Sequence, residues 1–287
     1  MKKRLALLKE QSSFFVAIPA LVWQALFLYI PLFFIFCASF FKQWFVFTWS
    51  DFTLENFSIV LTSVHARIIL WSLLQSFGVA VVCLLLGYPV AYFFAVRMRR
   101  WKDLFLFFLT LPFWTNFLVQ AYAWFFILER DGLLHVALRA IGIDVPIQIL
   151  HTPIAVFLVM VYCYLPFMIV PLYSVLEKFN ASLLEASADL GATPAKTFFK
   201  VTFPLTMSGV RTGFFLVLVP AFGEYAIPAI VGGGKRLYAG GLIASYFLEV
   251  RKPALGAAFT VLSGMAILLV VLLLNRILAV RKVEEEQ

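Results

Sequence analysis

Residues 185–204 read EASADLGATPAKTFFKVTFP and form a polar segment between two hydrophobic stretches. Almost all of the surrounding sequence is apolar enough for a membrane, so a polar interruption of this length is expected to lie outside the bilayer. Ser182 and Glu185 have the spacing of a capping box, which predicts that a short helix begins near Leu183.

The same segment contains the signals for a turn and a second helix. Gly191 supplies the positive-φ residue that often ends a helix. Thr193 can cap the next helix, and Pro194 suits its first position because no N–H is needed there. We therefore expect two short helices joined by a sharp turn at the membrane surface.

The composition restricts the class of protein. The 287 residues are 63% hydrophobic and 13% charged, which excludes an ordinary soluble globular protein. The net charge of +8 comes from residues at the ends of apolar stretches, so membrane orientation explains it better than nucleic-acid binding. Cys37, Cys83 and Cys163 lie in apolar stretches without metal or disulfide spacing, and we interpret them as core residues.

Six apolar stretches approach or exceed the ~20 residues that cross a bilayer as a helix. They predict an all-α membrane protein with six transmembrane helices in one domain, residues 1–287. The predicted spans cover about 14–41, 68–95, 104–128, 152–176, 212–231 and 255–280.

The positive charges predict the orientation. With the N-terminus in the cytoplasm, only eight of the 23 Lys and Arg residues face outward, which favours cytoplasmic N- and C-termini. The segment 177–204, between the fourth and fifth helices, is then cytoplasmic. The outward-facing eight are Lys42, Arg67, Arg130, Arg139, Lys235, Arg236, Arg251 and Lys252.

Glu224 is the one acidic residue predicted inside a span. An intramembrane acid costs at least ~2–3 kcal/mol, so it usually faces a cavity, a partner or a substrate. Pro220, Gly223 and Pro228 are expected to interrupt the helix around it, and broken helices often mark transport sites. The alternative is that Glu224 pairs with a neighbouring helix or subunit.

Polar and aromatic residues are dense in the third span, LPFWTNFLVQAYAW, at residues 111–124. Trp114 and Tyr122 are the best candidates for a pathway, because aromatic faces attract organic cations. Helix packing explains most of the others equally well. No feature predicts an enzyme: the three histidines lack metal-ligand or triad spacing, and the GGGKR at 232–236 lacks the first Gly and the Ser or Thr of a phosphate loop.

The 185–204 segment resembles the signature cytoplasmic loop of permease subunits in bacterial ABC importers. The match is carried by Glu185-Ala186-Ser187, by Gly191, and by Val201, Phe203 and Pro204. LPFWTN at 111–116, FGE at 222–224, LGYPVAYFFA at 86–95 and YLPFMIVPLYSVLEK at 164–178 extend it over essentially the whole chain. Together these stretches are similar to the first, B-type, permease subunit of spermidine/putrescine importers.

The resemblance implies the type I importer permease fold, with cytoplasmic coupling helices, in the bacterial inner membrane. It also implies a second permease subunit, a cytoplasmic ATPase dimer that binds ATP and Mg, and an extracytoplasmic polyamine-binding protein. This chain would then need no cofactor or metal and would catalyse no reaction itself. The implied ATPase-coupling residues are Glu185, Ala186, Ser187, Asp189, Gly191, Ala192, Pro194 and Pro204, and the substrate-path residues are Glu224, Trp114, Tyr122 and Tyr225.

Two rival functions stay open on the sequence. The first is an ABC importer permease for another small solute, such as sulfate, ferric ion or a phosphonate; an anionic cargo would call for Arg or helix N-termini in the path. The second is an ion-coupled secondary transporter, which would need an inverted repeat and its own ion site.

Overall fold

The computed structural model describes residues 18–42, 49–143, 148–180 and 182–280, which are almost entirely helical. The main helices are Ile18–Ala38, Glu55–Val60, Ser63–Tyr92, Lys102–Trp114, Phe117–Leu128, Leu133–Ala140, Pro153–Glu177, Ser182–Asp189, Pro194–Thr197, Phe203–Leu205, Met207–Phe222, Ala226–Ile230, Ala239–Ala244 and Pro253–Val280. Four π-helical turns, Ala25–Tyr29, Phe93–Arg97, Phe198–Thr202 and Ser245–Glu249, and two 3₁₀ turns, Trp49–Asp51 and Arg99–Trp101, complete the described helices.

Four helices are long and apolar enough to cross a membrane, and two bent pairs bring the number to six if each pair is one span. The prediction of an all-α membrane protein is therefore confirmed. The four are Ile18–Ala38, Ser63–Val96, Pro153–Glu177 and Pro253–Leu278, which we call the first, second, fourth and sixth spans. The predicted start of the first span at 14–17 and both termini lie outside the described residues.

The third span is broken, contrary to the single helix predicted for 104–128. Lys102–Trp114 meets the following helical stretch, Phe117–Ala140, at an angle of 91°. Asn116 begins the second part, because its side chain accepts a 2.8 Å hydrogen bond from the Leu118 amide. A prediction from hydropathy alone misses this break, because the residues on both sides are apolar.

The fifth span is shorter than the predicted 212–231. Its helix, Met207–Phe222, follows Pro194–Leu205 at an angle of 67° and ends at Gly223. A second short helix, Ala226–Ile230, resumes after the break. The predicted interruption of the helix is thus confirmed, and Glu224 lies in the break itself.

The chain divides into two compact units, residues 1–62 with 245–264, and residues 63–244 with 265–287. The core of the second unit is built by the second, fourth and fifth spans, which pack against one another. Val79, Met168 and Val217, one from each of these spans, are completely buried. Cys83 and Cys163 are buried as predicted, and Cys37, in the first unit, is partly exposed.

Two glycines let the fifth span approach the fourth closely. A Cβ at Gly213 would lie 2.8 Å from Met168 Sδ and 3.0 Å from the Met168 carbonyl oxygen. A Cβ at Gly209, four residues earlier, would lie 3.0 Å from the Pro171 carbonyl oxygen. Close backbone approach at small residues is a usual way to pack membrane helices, because lipid supplies little hydrophobic drive between them.

Candidate functional site

The first helix of the polar segment forms as predicted, but its start differs. The helix, Ser182–Asp189, begins one residue earlier than expected, and the Ser182 amide donates to Asn180 Oδ1 at 3.1 Å, so Asn180 takes the place of the predicted Ser182–Glu185 capping box. Gly191 follows the helix with φ +74°. The Gly191 amide donates to the Ala188 carbonyl oxygen at 2.8 Å and the Ala192 amide to that of Ser187 at 3.1 Å, so these two carbonyls near the end of the helix are satisfied.

The second half also follows the sequence signals. Thr193 caps Pro194–Thr197 by accepting a hydrogen bond from the Lys196 amide at 3.4 Å, and Pro194 occupies the first position. The helix continues through the π-helical turn Phe198–Thr202 into Phe203–Leu205. The prediction of two short helices and a sharp turn is confirmed.

A buried hydroxyl pair joins these two helices. The side chains of Ser187 and Thr197 are hydrogen-bonded to each other, and both residues are buried. The Ser187 hydroxyl therefore holds the first helix of the segment against the second.

One face of the segment is exposed and partly apolar. Leu190 at the turn is 88% exposed and Phe199 is 68% exposed. The predicted coupling residues on this exposed face are Glu185, Ala186, Asp189, Gly191 and Pro194, whereas Ala192 and Pro204 are partly buried. An exposed segment that carries large apolar side chains is the type of surface that a partner protein covers.

Glu224 is held in the break of the fifth span. Its Oε1 accepts hydrogen bonds from the Ala226 amide at 2.8 Å and the Ile227 amide at 3.3 Å, at the start of the short helix Ala226–Ile230. Its Oε2 accepts a hydrogen bond from Tyr164 Oη, on the fourth span, at 2.6 Å. Both oxygens of the carboxylate are therefore engaged within the chain.

A line of polar side chains extends from Glu224 to the break in the third span. Cys163, next to Tyr164, donates from Sγ to Gln120 Oε1 at 3.8 Å. Gln120 Nε2 donates to the Pro112 carbonyl oxygen at 2.7 Å and to Thr115 Oγ1 at 2.5 Å, so it satisfies groups left open by the break. The broken third span thus contacts the fourth span at Cys163, and the broken fifth span contacts it at the next residue, Tyr164.

The predicted aromatic residues of the path are well exposed. Trp114 is 76% exposed, Tyr122 is 53% exposed and Tyr225 is 45% exposed. The helix that carries Tyr122 packs against Ala226–Ile230, the helix that follows Glu224. Among the described residues, however, the aromatic side chain hydrogen-bonded to Glu224 is Tyr164, which is not one of the predicted path residues.

The loop after the fifth span returns to the break. A Cβ at Gly240 would lie 2.2 Å from the Gly223 carbonyl oxygen, so only glycine fits there. The neighbouring Ala239 amide donates to Ser72 Oγ of the second span at 2.8 Å. The helix Ala239–Ala244 therefore covers the break and fixes it to the second span.

A cavity of about 230 Å³ lies near the start of the fourth span. Its lining includes Lys235 and Arg236 but no carboxylate, and Arg236 also lies 5.7 Å from the ring centre of Trp71. Burial raises the pKa of Tyr238 in its wall, and the charge of Arg236 opposes that shift. The positive charges of this cavity would repel a polycation. The cavity therefore differs in the sign of its charge from the surroundings of Glu224.

Comparisons with known proteins agree with this architecture. The spermidine/putrescine transport system permease protein PotB of Escherichia coli (strain K12) is 39% identical over 252 residues, covering 86% of this chain and 92% of the relative. The protein of the same name in Haemophilus influenzae is 41% identical over 241 residues, covering 82% and 83%. A crystal structure of a bacterial alginate ABC transporter, in complex with an alginate pentasaccharide-bound periplasmic protein, superposes with a TM-score of 0.66 at 16% identity, covering 93% of this chain and 94% of that chain.

The match to a family model covers the larger part of the chain. Residues 84–283 match the model described as binding-protein-dependent transport system inner membrane component. This range contains the helix–turn–helix segment, Glu224 and both broken spans. The chain belongs to the family of inner membrane permease components of binding-protein-dependent transport systems.

Proposed function

We propose that this chain is the B-type permease subunit of an ATP-driven ABC importer for polyamines. Together with a second, different permease it forms the path by which spermidine or putrescine enters the cytoplasm. The two relatives described above are about 40% identical to this chain over most of its length and most of their own, and both are named as spermidine/putrescine transport permeases. The observation that carries the proposal is the combination of this likeness with the exposed helix–turn–helix segment at 182–205.

The chain works in a complex with chains that do the chemistry. A cytoplasmic ATPase dimer binds ATP and Mg and hydrolyses the nucleotide, whereas this subunit supplies no catalytic group, cofactor or metal site. An extracytoplasmic binding protein delivers the polyamine, as the periplasmic protein in the alginate transporter complex suggests by analogy. The chain lies in the bacterial inner membrane as one permease domain, residues 1–287, with both termini in the cytoplasm.

The exposed face of the helix–turn–helix segment is the docking surface for the ATPase. Leu190 and Phe199 offer apolar area, and the segment also carries exposed charges of both signs, from Glu185, Asp189, Lys196 and Lys200. The buried Ser187–Thr197 pair makes the two helices one stiff body. Movement of the ATPase dimer on nucleotide binding would then shift the segment 177–204 as a unit.

The path for the polyamine passes Glu224, with Trp114, Tyr122 and Tyr225 as aromatic walls. A linear polycation needs carboxylates for its ammonium groups and apolar or aromatic faces for its methylene stems. An ammonium group that reaches Glu224 Oε2 shares that oxygen with the Tyr164 hydroxyl, which already donates a hydrogen bond to it. One carboxylate does not neutralise a polyamine, so the second permease supplies the others.

Uptake by proteoliposomes tests the proposal. The complete complex, with second permease and ATPase, is reconstituted with binding protein outside and ATP inside, and entry of labelled spermidine is measured. We expect uptake that requires ATP, the ATPase and the binding protein. Uptake of sulfate, ferric ion or a phosphonate instead of spermidine would overturn the proposed polyamine cargo. Uptake by this chain without an ATPase would indicate a secondary transporter.

A further inference from the structure

Thr206 occupies a buried bend between the helix–turn–helix segment and the fifth span. The two helices on either side, Pro194–Leu205 and Met207–Phe222, meet at 67°. Thr206 itself is completely buried. It is the single residue between the two helices, so it joins the segment to the fifth span.

The Thr206 hydroxyl joins the bend to the second span. Its Oγ1 lies 2.8 Å from Tyr88 Oη, 118 residues away in the sequence, and both residues are buried. The same hydroxyl donates to the Thr202 carbonyl oxygen at 2.9 Å. The Phe203 carbonyl oxygen lies 3.2 Å from the same Oγ1, so the Thr206 hydroxyl links Tyr88 of the second span to the backbone at the end of the helix–turn–helix segment.

Aromatic packing reinforces the same connection. The Tyr88 ring lies 5.4 Å from the ring of Phe198 and 5.9 Å from that of Phe203, centre to centre. Both phenylalanines belong to the second half of the helix–turn–helix segment. On the other side, a Cβ at Gly87 would lie 3.1 Å from Ile169 Cγ1, so the second span is held close to the fourth at the same level.

We propose that the Tyr88–Thr206 hydroxyl pair is the joint through which movement of the helix–turn–helix segment reaches the second span. The inference rests on the proposed function and specifies how this chain converts docking into opening of the path. A buried hydroxyl that leaves its partner finds no water to replace it, so separating the pair is costly. Tyr88 and Thr206 act as positioning residues, because both are buried between the second span and the bend.

The test compares polyamine transported with ATP hydrolysed. Variants Tyr88→Phe and Thr206→Val remove one hydroxyl each and keep the size of the side chain. In the reconstituted complex we expect spermidine uptake per phosphate released to fall roughly three- to tenfold, the equivalent of one buried hydrogen bond. Thr206→Ser, which keeps the hydroxyl, should retain the wild-type ratio, and the double variant Tyr88→Phe with Thr206→Val should be no worse than either single variant.

Tyr92→Phe is the matched control, because it removes a hydroxyl one turn further along the same helix. An unchanged ratio of uptake to hydrolysis in Tyr88→Phe would overturn the proposal. So would a loss of uptake and hydrolysis in equal proportion, together with loss of assembled complex, because that result indicates a structural role alone. Failure of the wild-type complex to show any ATP-driven spermidine uptake would overturn the proposed function instead.

Discussion

Tyr164 donates a 2.6 Å hydrogen bond to Glu224 Oε2 and thereby joins the fourth span to the break in the fifth. The two residues are 60 positions apart, and the other carboxylate oxygen binds two amides at the start of the next short helix. Glu224 thus has a structural role in the chain. A cation in the path has to share this carboxylate with Tyr164.

The first prediction concerns the charge of Glu224. Glu224→Gln keeps an oxygen for the amides but removes the negative charge, so we expect spermidine uptake to fall about 10- to 100-fold, as for loss of a hydrogen bond to a charged group. Retention of the ATPase on the purified permease should not change. Glu129→Gln, an exposed acid outside the path, is the control. Normal uptake by Glu224→Gln would remove this residue from the path.

The second prediction concerns Tyr164. Tyr164→Phe leaves Glu224 Oε2 without its donor and should destabilise the complex by about 1–3 kcal/mol. Tyr162→Phe, on the same helix, removes a half-exposed hydroxyl and keeps the edge contact of the ring with Trp124, so it should have little effect. Thermal stability of the complex in detergent measures both variants. Equal thermal unfolding midpoints for Tyr164→Phe and Tyr162→Phe would show that the hydrogen bond to Glu224 does not stabilise the fifth span.

Local signals explain why the helix–turn–helix segment could be predicted and Tyr164 could not. Gly191, Thr193 and Pro194 determine the turn through their own backbone preferences, which neighbouring residues do not change. The partner of Tyr164 is fixed only by the packing of two spans, so no sequence spacing shows it. Asn116 is intermediate: its preference for helix starts indicates a break, but the uniform hydropathy around it hides the signal.

A third prediction tests the turn itself. Gly191 has φ +74° and open space around the position of a Cβ, so Gly191→Ala introduces backbone strain of about 1 kcal/mol without a steric clash. We expect weaker retention of the ATPase and reduced uptake for Gly191→Ala. Gly191→Asn should be less affected, because Asn tolerates the left-handed region better. Gly241→Ala, also in open space and without a positive φ, is the control. Equal activity of Gly191→Ala and Gly191→Asn would contradict the argument, and so would a loss of activity in the Gly241→Ala control.

A fourth prediction uses the Ser187–Thr197 pair. Ser187→Ala leaves the buried Thr197 hydroxyl without its partner, which costs about 1–3 kcal/mol, whereas adding Thr197→Val removes both hydroxyls and should restore part of that loss. Thermal stability and ATPase retention of the single and double variants form a complete cycle. Strictly additive losses would show that the two hydroxyls do not stabilise each other.

The central claim is that the exposed face of the segment 182–205 receives work from a separate ATPase, and Glu185 lies on that face. The most direct measurement is ATP-driven spermidine uptake by reconstituted complexes that carry Glu185→Ala, with membrane insertion checked in the same preparation and Asp103→Asn as the control on another exposed acid. We predict that Glu185→Ala inserts normally but loses uptake, while Asp103→Asn retains it. Wild-type uptake by Glu185→Ala would contradict the role of this face in coupling.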